Sequence, residues 1–170
     1  GTTVSTGANQ SVPTLSFTAS DTTMTVRVWS PDAGIQVRLK VEDAADNTKS
    51  VETEATTTVA NDWETLTFDF ANQATGTAAL NLAYTYNKVS IFFNFGVTGA
   101  TAGEKTYYFD DVAFGGGTTP PPSTWETITF DSNAVTYTLT GFGGADDSTV
   151  VVDPTNAANN VAKVVKSGTA

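Results

Sequence analysis

TYYFDDVAF (residues 106–114) is followed at once by GGGTTPPP (115–122), and these two segments decide how the rest of the chain is interpreted. Aromatic and β-branched residues on either side of two adjacent carboxylates are typical of a β-strand. Three glycines and three prolines cannot continue that strand, because glycine weakens a sheet and proline cannot donate to its hydrogen bonds. The sequence therefore predicts that a β unit ends near Phe114, that residues 115–124 are a linker, and that a new segment begins at Trp125.

The composition favours an all-β protein. Hydrophobic residues make up 39 % of the chain and charged residues 15 %. Threonine, valine, phenylalanine and tyrosine recur throughout, and these residues favour pleated, half-buried surfaces. No segment shows a sustained period of 3.6 residues, so long helices are not expected.

Short alternating segments separated by turn residues predict the individual strands. Residues 24–29 and 35–42 each alternate apolar and polar side chains, and the turn SPDAG (30–34) between them predicts a hairpin. The predicted strands are residues 12–17, 24–29, 35–42, 51–59, 63–70, 88–96, 106–114, 125–130, 135–140, 149–152 and 161–166.

The missing residue types and the net charge exclude several classes of function. The chain has no cysteine and no histidine, which excludes thiol nucleophiles, disulfides, histidine bases and the usual zinc, copper and haem sites. Its net charge of −10 argues against a nucleic-acid partner and suits hard cations such as calcium. No apolar run approaches the roughly 20 residues that cross a bilayer, so no membrane span is predicted.

The segments on the two sides of the linker are unequal. Residues 125–170 are too few to form a sandwich without disulfides or a metal, and residues 1–114 begin without an opening strand. The C-terminal segment is nevertheless patterned as strands and apolar enough to need a partner. Either it completes another sandwich, or the chain is one sandwich followed by a disordered tail.

The order of the motifs, read with its two parts exchanged, matches a known kind of module. One part comprises Phe130-Asp131 at a strand end, the glycine-rich loop 141–148, the turn Asp153-Pro154 and the strand AKVVK (162–166). The other comprises RVWSPDAGIQVRLKVED (27–43), WETLTFDF (63–70), IFFNFG (91–96) and YYFDDVAF (107–114). Together they resemble the opening third and the remaining two thirds of jelly-roll carbohydrate-binding modules of the large group around family four. The resemblance covers nearly the whole chain and implies an all-β jelly-roll β-sandwich.

The exchanged order implies a domain organisation. Residues 125–170 would open one module, and residues 1–114 would complete the preceding copy. The chain would then span about one period of a tandem repeat, and its partners would include neighbouring copies of itself. A circular permutant, or a strand-swapped neighbour that supplies the missing third, is the alternative.

The resemblance also implies a structural calcium ion (Ca2+). In such modules it lies between the carboxylate that ends the first strand and an aspartate of the closing strand, and these match Asp131 and the pair Asp110 and Asp111. Carbonyl groups of the loop 141–148 would complete the shell of oxygen ligands that calcium takes. Adjacent side chains of a strand point to opposite faces, so one of the pair is expected to ligate. The alternative is that these carboxylates are solvated groups at sheet ends.

Aromatic and polar side chains at outward strand positions predict a sugar-binding face. Sugar rings stack on flat aromatic rings, and arginine, asparagine and carboxylate groups bind their hydroxyls. Both arginines of the chain are predicted to fall on this face. The predicted ligand-binding residues are Arg27, Trp29, Arg38, Lys40, Glu42, Phe92 and Asn94. The alternative is ordinary cross-strand charge pairing, with Trp29 covered by a loop.

The expected function is therefore a non-catalytic module that binds a polysaccharide or oligosaccharide, within a secreted or cell-surface multimodular bacterial protein. The alternative is a structural repeat of an extracellular fibre or adhesin, assembled head-to-tail by strand complementation and stiffened by calcium. Glycoside hydrolases use a pair of carboxylates as catalytic residues, and Glu52 and Glu54 share one face of a predicted strand. Neither lies in a recognisable catalytic motif, so no enzymatic activity is predicted.

Overall fold

A computed structural model of the protein describes residues 1–115, 125–145 and 147–169. These residues form two five-stranded sheets in which every strand pair is antiparallel. The all-β sandwich predicted from the sequence is confirmed, whereas the more specific jelly-roll assignment stays a prediction. Of the predicted linker 115–124, all but Gly115 lies outside the described residues, as does Ala170.

The strands of the described residues are numbered in chain order. They are β1 (Thr2–Ser5), β2 (Thr23–Ser30), β3 (Gln36–Asp43), β4 (Asp46–Thr56), β5 (Asp62–Asp69), β6 (Lys88–Phe93), β7 (Lys105–Phe114), β8 (Thr138–Gly141), β9 (Asp147–Asp153) and β10 (Asn156–Lys166). The first sheet has the order β4-β3-β6-β1-β8, and the second sheet has the order β5-β2-β7-β10-β9. The α-helical part of the described residues is a single turn, Gly99–Ala102, and no helix there is long and apolar enough to cross a membrane.

The strand predictions fail mainly near the N-terminal ends of the segments 1–114 and 125–170. Residues 12–17 form no strand. Val12 donates its N–H to the carbonyl of Asn87 and Leu15 donates its N–H to that of Tyr86, each at 2.8 Å, and these two isolated hydrogen bonds do not make a strand pair. Residues 125–130 make only one bridge, between Ile128 and Val112. The strand β1, by contrast, was not predicted. It is rich in threonine and serine and lacks an alternating apolar pattern, yet all four of its residues are buried.

The predicted hairpin of residues 24–29 and 35–42 is wrong. Strand β2 pairs with β5 and β7 in the second sheet, whereas β3 pairs with β4 and β6 in the first. The turn between β2 and β3 therefore carries the chain from one sheet to the other. Alternation along a strand shows that one face is buried, but it does not show which strand lies beside it.

The C-terminal segment completes both sheets of the same sandwich. Strand β10 pairs with β7 in register from Ala162–Phe109 to Lys166–Lys105, and β8 pairs with β1. The tail is therefore not a free appendage in this chain. The other part of the domain prediction, in which a neighbouring copy supplies the same strands in a longer protein, stays a prediction.

The core between the sheets is aromatic and β-branched, and it joins the two segments. Phe93 of the first sheet stacks on Tyr107 of the second, with ring centroids 4.7 Å apart and planes 7° apart. Phe130 of the C-terminal segment packs edge-on against Phe109 at 5.6 Å. Burying each such side chain stabilises the fold by about 1.5–3 kcal/mol, so the C-terminal segment is held by packing as well as by backbone pairing.

Candidate functional site

The outer face of the first sheet carries a groove of about 560 Å³ that crosses the strands from β3 to β8. Its lining residues come from every strand of that sheet: Thr3, Gln10, Lys40, Glu42, Asn47, Thr48, Lys88, Ser90, Phe92, Thr140 and Phe142. From β3 to β8 there are three inter-strand spacings, which is about 14 Å. The groove is thus long enough for a short chain of linked groups and not only for a single ring.

The floor of the groove is a row of small hydroxyl side chains on three adjacent strands. The register places Ser90 of β6 beside Thr3 of β1, and Thr3 beside Thr140 of β8. The hydroxyl groups of Thr3 and Ser90 are 2.7 Å apart and share a hydrogen bond. Because these side chains are short, they leave room above the sheet, and each oxygen can both donate and accept.

One wall of the groove is aromatic. Phe92 of β6 and Phe142, which follows β8, meet edge-to-face with centroids 5.5 Å apart. They close over Gly1, where a Cβ atom would lie only 2.5 Å from Phe92 Cε1 and 2.6 Å from Phe142 Cζ. Phe142 is 40 % exposed, so this wall presents aromatic surface to any ligand in the groove.

The other wall is charged. The carboxylate of Glu42, on β3, is bracketed by Lys40 Nζ at 2.6 Å and Lys88 Nζ at 2.9 Å, each on a different oxygen. Burial raises the pKa of Glu42, but the hydrogen bonds and charges of the two lysines outweigh that effect and hold it below its usual value. Glu42 is therefore ionised at neutral pH, and two ammonium groups share one carboxylate.

Arg38 lies beside the groove, where it forms part of a closed ion-pair network on β3 and β4. Its guanidinium contacts Glu52 at 2.8 Å and also Glu54, and it stacks over the ring of Phe95 at 3.6 Å. Phe95 in turn packs against Phe92. Through Phe95, Arg38 therefore supports the aromatic wall.

The seven predicted ligand-binding residues do not share one face. Lys40, Glu42 and Phe92 line the groove, and Arg38 lies next to it. Asn94 falls beyond the end of β6 with a positive φ of 48°, where its carbonyl accepts a hydrogen bond from Lys166. Arg27 and Trp29 are on the outer face of the opposite sheet. The prediction of a single face containing both arginines is wrong, because it depended on the hairpin that does not form.

The outer face of the second sheet carries its own aromatic row, which includes a predicted residue. Trp29 of β2 lies between Trp63 of β5 and Tyr108 of β7. The rings of Trp29 and Tyr108 meet at an interplanar angle of 75°. Arg27 covers Trp63 at 4.2 Å, and the indole N–H of Trp63 donates to Thr155. All three rings thus make contacts within the protein, and those of Trp29 and Tyr108 do not lie in one plane.

The predicted calcium ligand Asp110 is almost fully buried, and it sits among donors. Its Oδ2 accepts from the Asn159 amide at 2.9 Å and lies 3.7 Å from an Arg27 nitrogen, while its Oδ1 accepts from the backbone N–H of Asp111. Burial raises the pKa of the Asp110 carboxyl to about 6, although these donors favour the charged form. Asn159 also reaches Asp153 at 3.4 Å. The amide therefore bridges two carboxylates.

The other groups of the predicted calcium shell are Asp111, which directly follows Asp110, Asp131 and the loop 141–148. Asp131 accepts hydrogen bonds from the backbone and side chain of Asn160, and Asp111 lies in a β-bulge with a positive φ of 47°. The loop 141–148 ends at β9, two strands from β7, which is about 10 Å away. The described residues at the start of β9, Asp147 and Ser148, pair with β10. Within the described ranges no three acidic side chains come together.

No sequence pattern directly predicts the hydroxyl floor or Phe142. Strand β1 was not recognised, and without it Thr3, Ser90 and Thr140 have no common row. A single cue is present: Ser90 interrupts the apolar run of residues 89–93 in the strand KVSIFF (88–93). Comparisons of the chain with protein-family models, with curated proteins and with solved structures found no match.

Proposed function

We propose that this protein is a non-catalytic carbohydrate-binding module that holds a glycan chain in the groove of the first sheet. The observation that supports this most is the combination of an aromatic wall, a hydroxyl floor and a charged wall along one transverse groove. Apolar faces of sugar rings pack on aromatic side chains, and sugar hydroxyls pair with small polar and charged groups. In this proposal the protein is secreted or displayed at the cell surface, where polysaccharides are met.

The test is retention by immobilised polysaccharides, in affinity electrophoresis of the full chain against a broad glycan panel. Phe142→Ala removes half of the exposed aromatic wall, and we expect it to abolish retardation while leaving the melting temperature within a few degrees. Val152→Ala is the matched control, because Val152 is 56 % exposed and lies on the second sheet. Retardation of the Phe142 variant equal to that of the parent, or no retardation of the parent by any glycan, would contradict the proposal.

A second function is supported by the position of the two ends of the described chain. Gly1 is hydrogen-bonded through its backbone to Phe142, and Ser167 donates to the carbonyl of Gly144, so the two ends of the described chain lie at one end of the sandwich. We propose that the segment 125–170 of one copy can complete the sandwich of another. The protein would then act as a repeat of a fibre or adhesin, assembled by strand complementation.

Refolding the full chain from urea at increasing concentration tests this second function. Exchange of the C-terminal segment between chains should give dimers and longer oligomers at high concentration, measured by light scattering, and monomers at low concentration. Monomers at every concentration would contradict strand complementation between copies. The glycan proposal does not depend on this result, because the groove is complete in one chain.

A further inference from the structure

We propose that the groove selects glycans that carry carboxylate groups, such as uronic acid residues, over neutral glycans of the same backbone. This inference rests on the proposed function and specifies the ligand of the same site. It is drawn from the charges that line the groove and from the way the other basic residues of the chain are used. The residues that carry it are Lys40, Lys88 and Glu42.

The groove holds an excess of positive charge on a strongly acidic protein. The charged residues among its lining are two lysines and one glutamate, so the lining has a net charge of +1, whereas the whole chain has −10. Lys40 and Lys88 each form one ion pair with Glu42. A lysine ammonium group has three N–H donors. The side chains of Lys40 and Lys88 are 23 % and 21 % exposed. Each can therefore offer a donor to a ligand without releasing Glu42.

The acidic groups nearest the groove are already paired elsewhere. Glu52 lies across from Lys40 on β4, but its carboxylate is held by Arg38 at 2.8 Å. Asp46, the first residue of β4, which also supplies Asn47 and Thr48, is paired with Lys49 at 3.2 Å. Arg38 also holds Glu54, so that network keeps one negative charge, but neither of these carboxylates pairs with the lysines of the groove, whose ion pairs are with Glu42.

The other described basic side chains are not arranged in this way. Arg27 faces the buried Asp110, and Lys105 pairs with Asp32 at 3.3 Å. Lys166 donates to three backbone carbonyls, of Phe93, Asn94 and Val97. The groove is thus the place where two lysines converge on a single carboxylate above a floor of hydroxyl groups. Long-range repulsion by the net negative charge is screened beyond about 8 Å at physiological ionic strength, so the local charge decides.

The test compares uronate polysaccharides with their own carboxyl-reduced forms, in affinity electrophoresis at 0.15 M ionic strength. Polygalacturonate, alginate and hyaluronan are suitable probes, since each reduced form keeps its linkage and loses its charge. We expect at least one acidic polymer to retard the protein about tenfold more strongly than its reduced form. We also expect Lys88→Met to remove that difference, because a charge-assisted hydrogen bond of this kind contributes about a factor of ten or more. Lys105→Met is the matched control and should leave the difference unchanged.

The outcomes separate the inference from the function on which it rests. Binding to neutral glycans with no preference for any acidic polymer would overturn the inference and leave the module a glycan binder. A preference that persists in the Lys88 variant would also overturn it. Stronger retardation by dextran sulfate than by every uronate polymer would overturn the assignment to carboxylates. Absence of binding to any glycan, acidic or neutral, would overturn both the inference and the proposed function.

Discussion

Replacing Glu42 by glutamine should destabilise the protein although the side chain keeps its size. Glu42 is 6 % exposed and is the single carboxylate between Lys40 and Lys88. The substitution leaves two ammonium groups near each other with only a neutral amide between them. The first sheet would then hold an uncompensated pair of like charges on adjacent strands β3 and β6.

The magnitude follows from the two charged contacts that are lost. A hydrogen bond to a charged group contributes about 1.5–3 kcal/mol, and breaking a fully buried ion pair costs about 3–5 kcal/mol. Both lysines are about one-fifth exposed, so solvent screens part of this energy. We expect the free energy of unfolding to fall by about 2 kcal/mol. For a chain of this size that corresponds to a lower melting temperature by about 4–8 °C.

The loss should depend on pH in a defined direction. The pKa of Glu42 is lowered in the folded protein from its ordinary value of 4.5. The ionised carboxylate therefore contributes stability above about pH 4.5, and that contribution disappears as the pH falls through the lowered value. Urea denaturation of Glu42→Gln and of the parent should thus differ at pH 7 and converge as the pH falls below 4.

A matched control separates this local effect from a general effect of removing one negative charge. Glu104 is exposed and lies in the turn before β7, so Glu104→Gln makes the same change in net charge away from the groove. We expect the control to match the parent in stability within about 0.5 kcal/mol. If Glu42→Gln were as stable as the control at pH 7, or if its loss of stability were the same at pH 7 and below pH 4, the reasoning would be refuted.

Three further results are expected. Phe130→Ala should lower the free energy of unfolding in urea by about 3–5 kcal/mol, since its ring fills the core beside Phe109; a loss below 1 kcal/mol would contradict the proposed packing of the tail. Gly1→Ala should weaken oligosaccharide binding in calorimetry without lowering the melting temperature, because its Cβ would displace Phe92; unchanged affinity would contradict it. The calcium prediction requires that excess calcium chloride raise the melting temperature of the parent but not of Asp110→Asn; identical melts with calcium or chelator would exclude it.

The sequence predicts the strands better than it predicts their neighbours. Strands with clean alternation, such as β2, β3 and β5, appear within one or two residues of the predicted bounds. Their pairing was not predictable in the same way, because the apolar face of β2 would be buried equally well in either sheet. For this reason the sequence predicts Arg27 and Arg38 on one face, whereas they lie on opposite sides of the sandwich.

The candidate site was only partly predictable for the same reason. Lys40, Glu42 and Phe92 were recognised as outward residues on strands, and those strands do lie side by side. The floor depends on β1, which brings Thr3 beside Ser90. The residues of β1 are buried, but a hydropathy pattern predicts a loop there because they are rich in hydroxyl groups. Phe142 lies after a short strand and carries no periodic signal, so only the tertiary structure places it against Phe92.

The proposed function depends on the binding of glycans in the groove of the first sheet. The most direct measurement is the change of backbone amide NMR shifts when an oligosaccharide that retards the protein is titrated into it. We expect the largest changes at Thr3, Ser90, Phe92 and Phe142, with the shifts of Trp29 and Tyr108 unchanged. Changes centred on Trp29 and Tyr108, on the opposite sheet, would contradict this proposal.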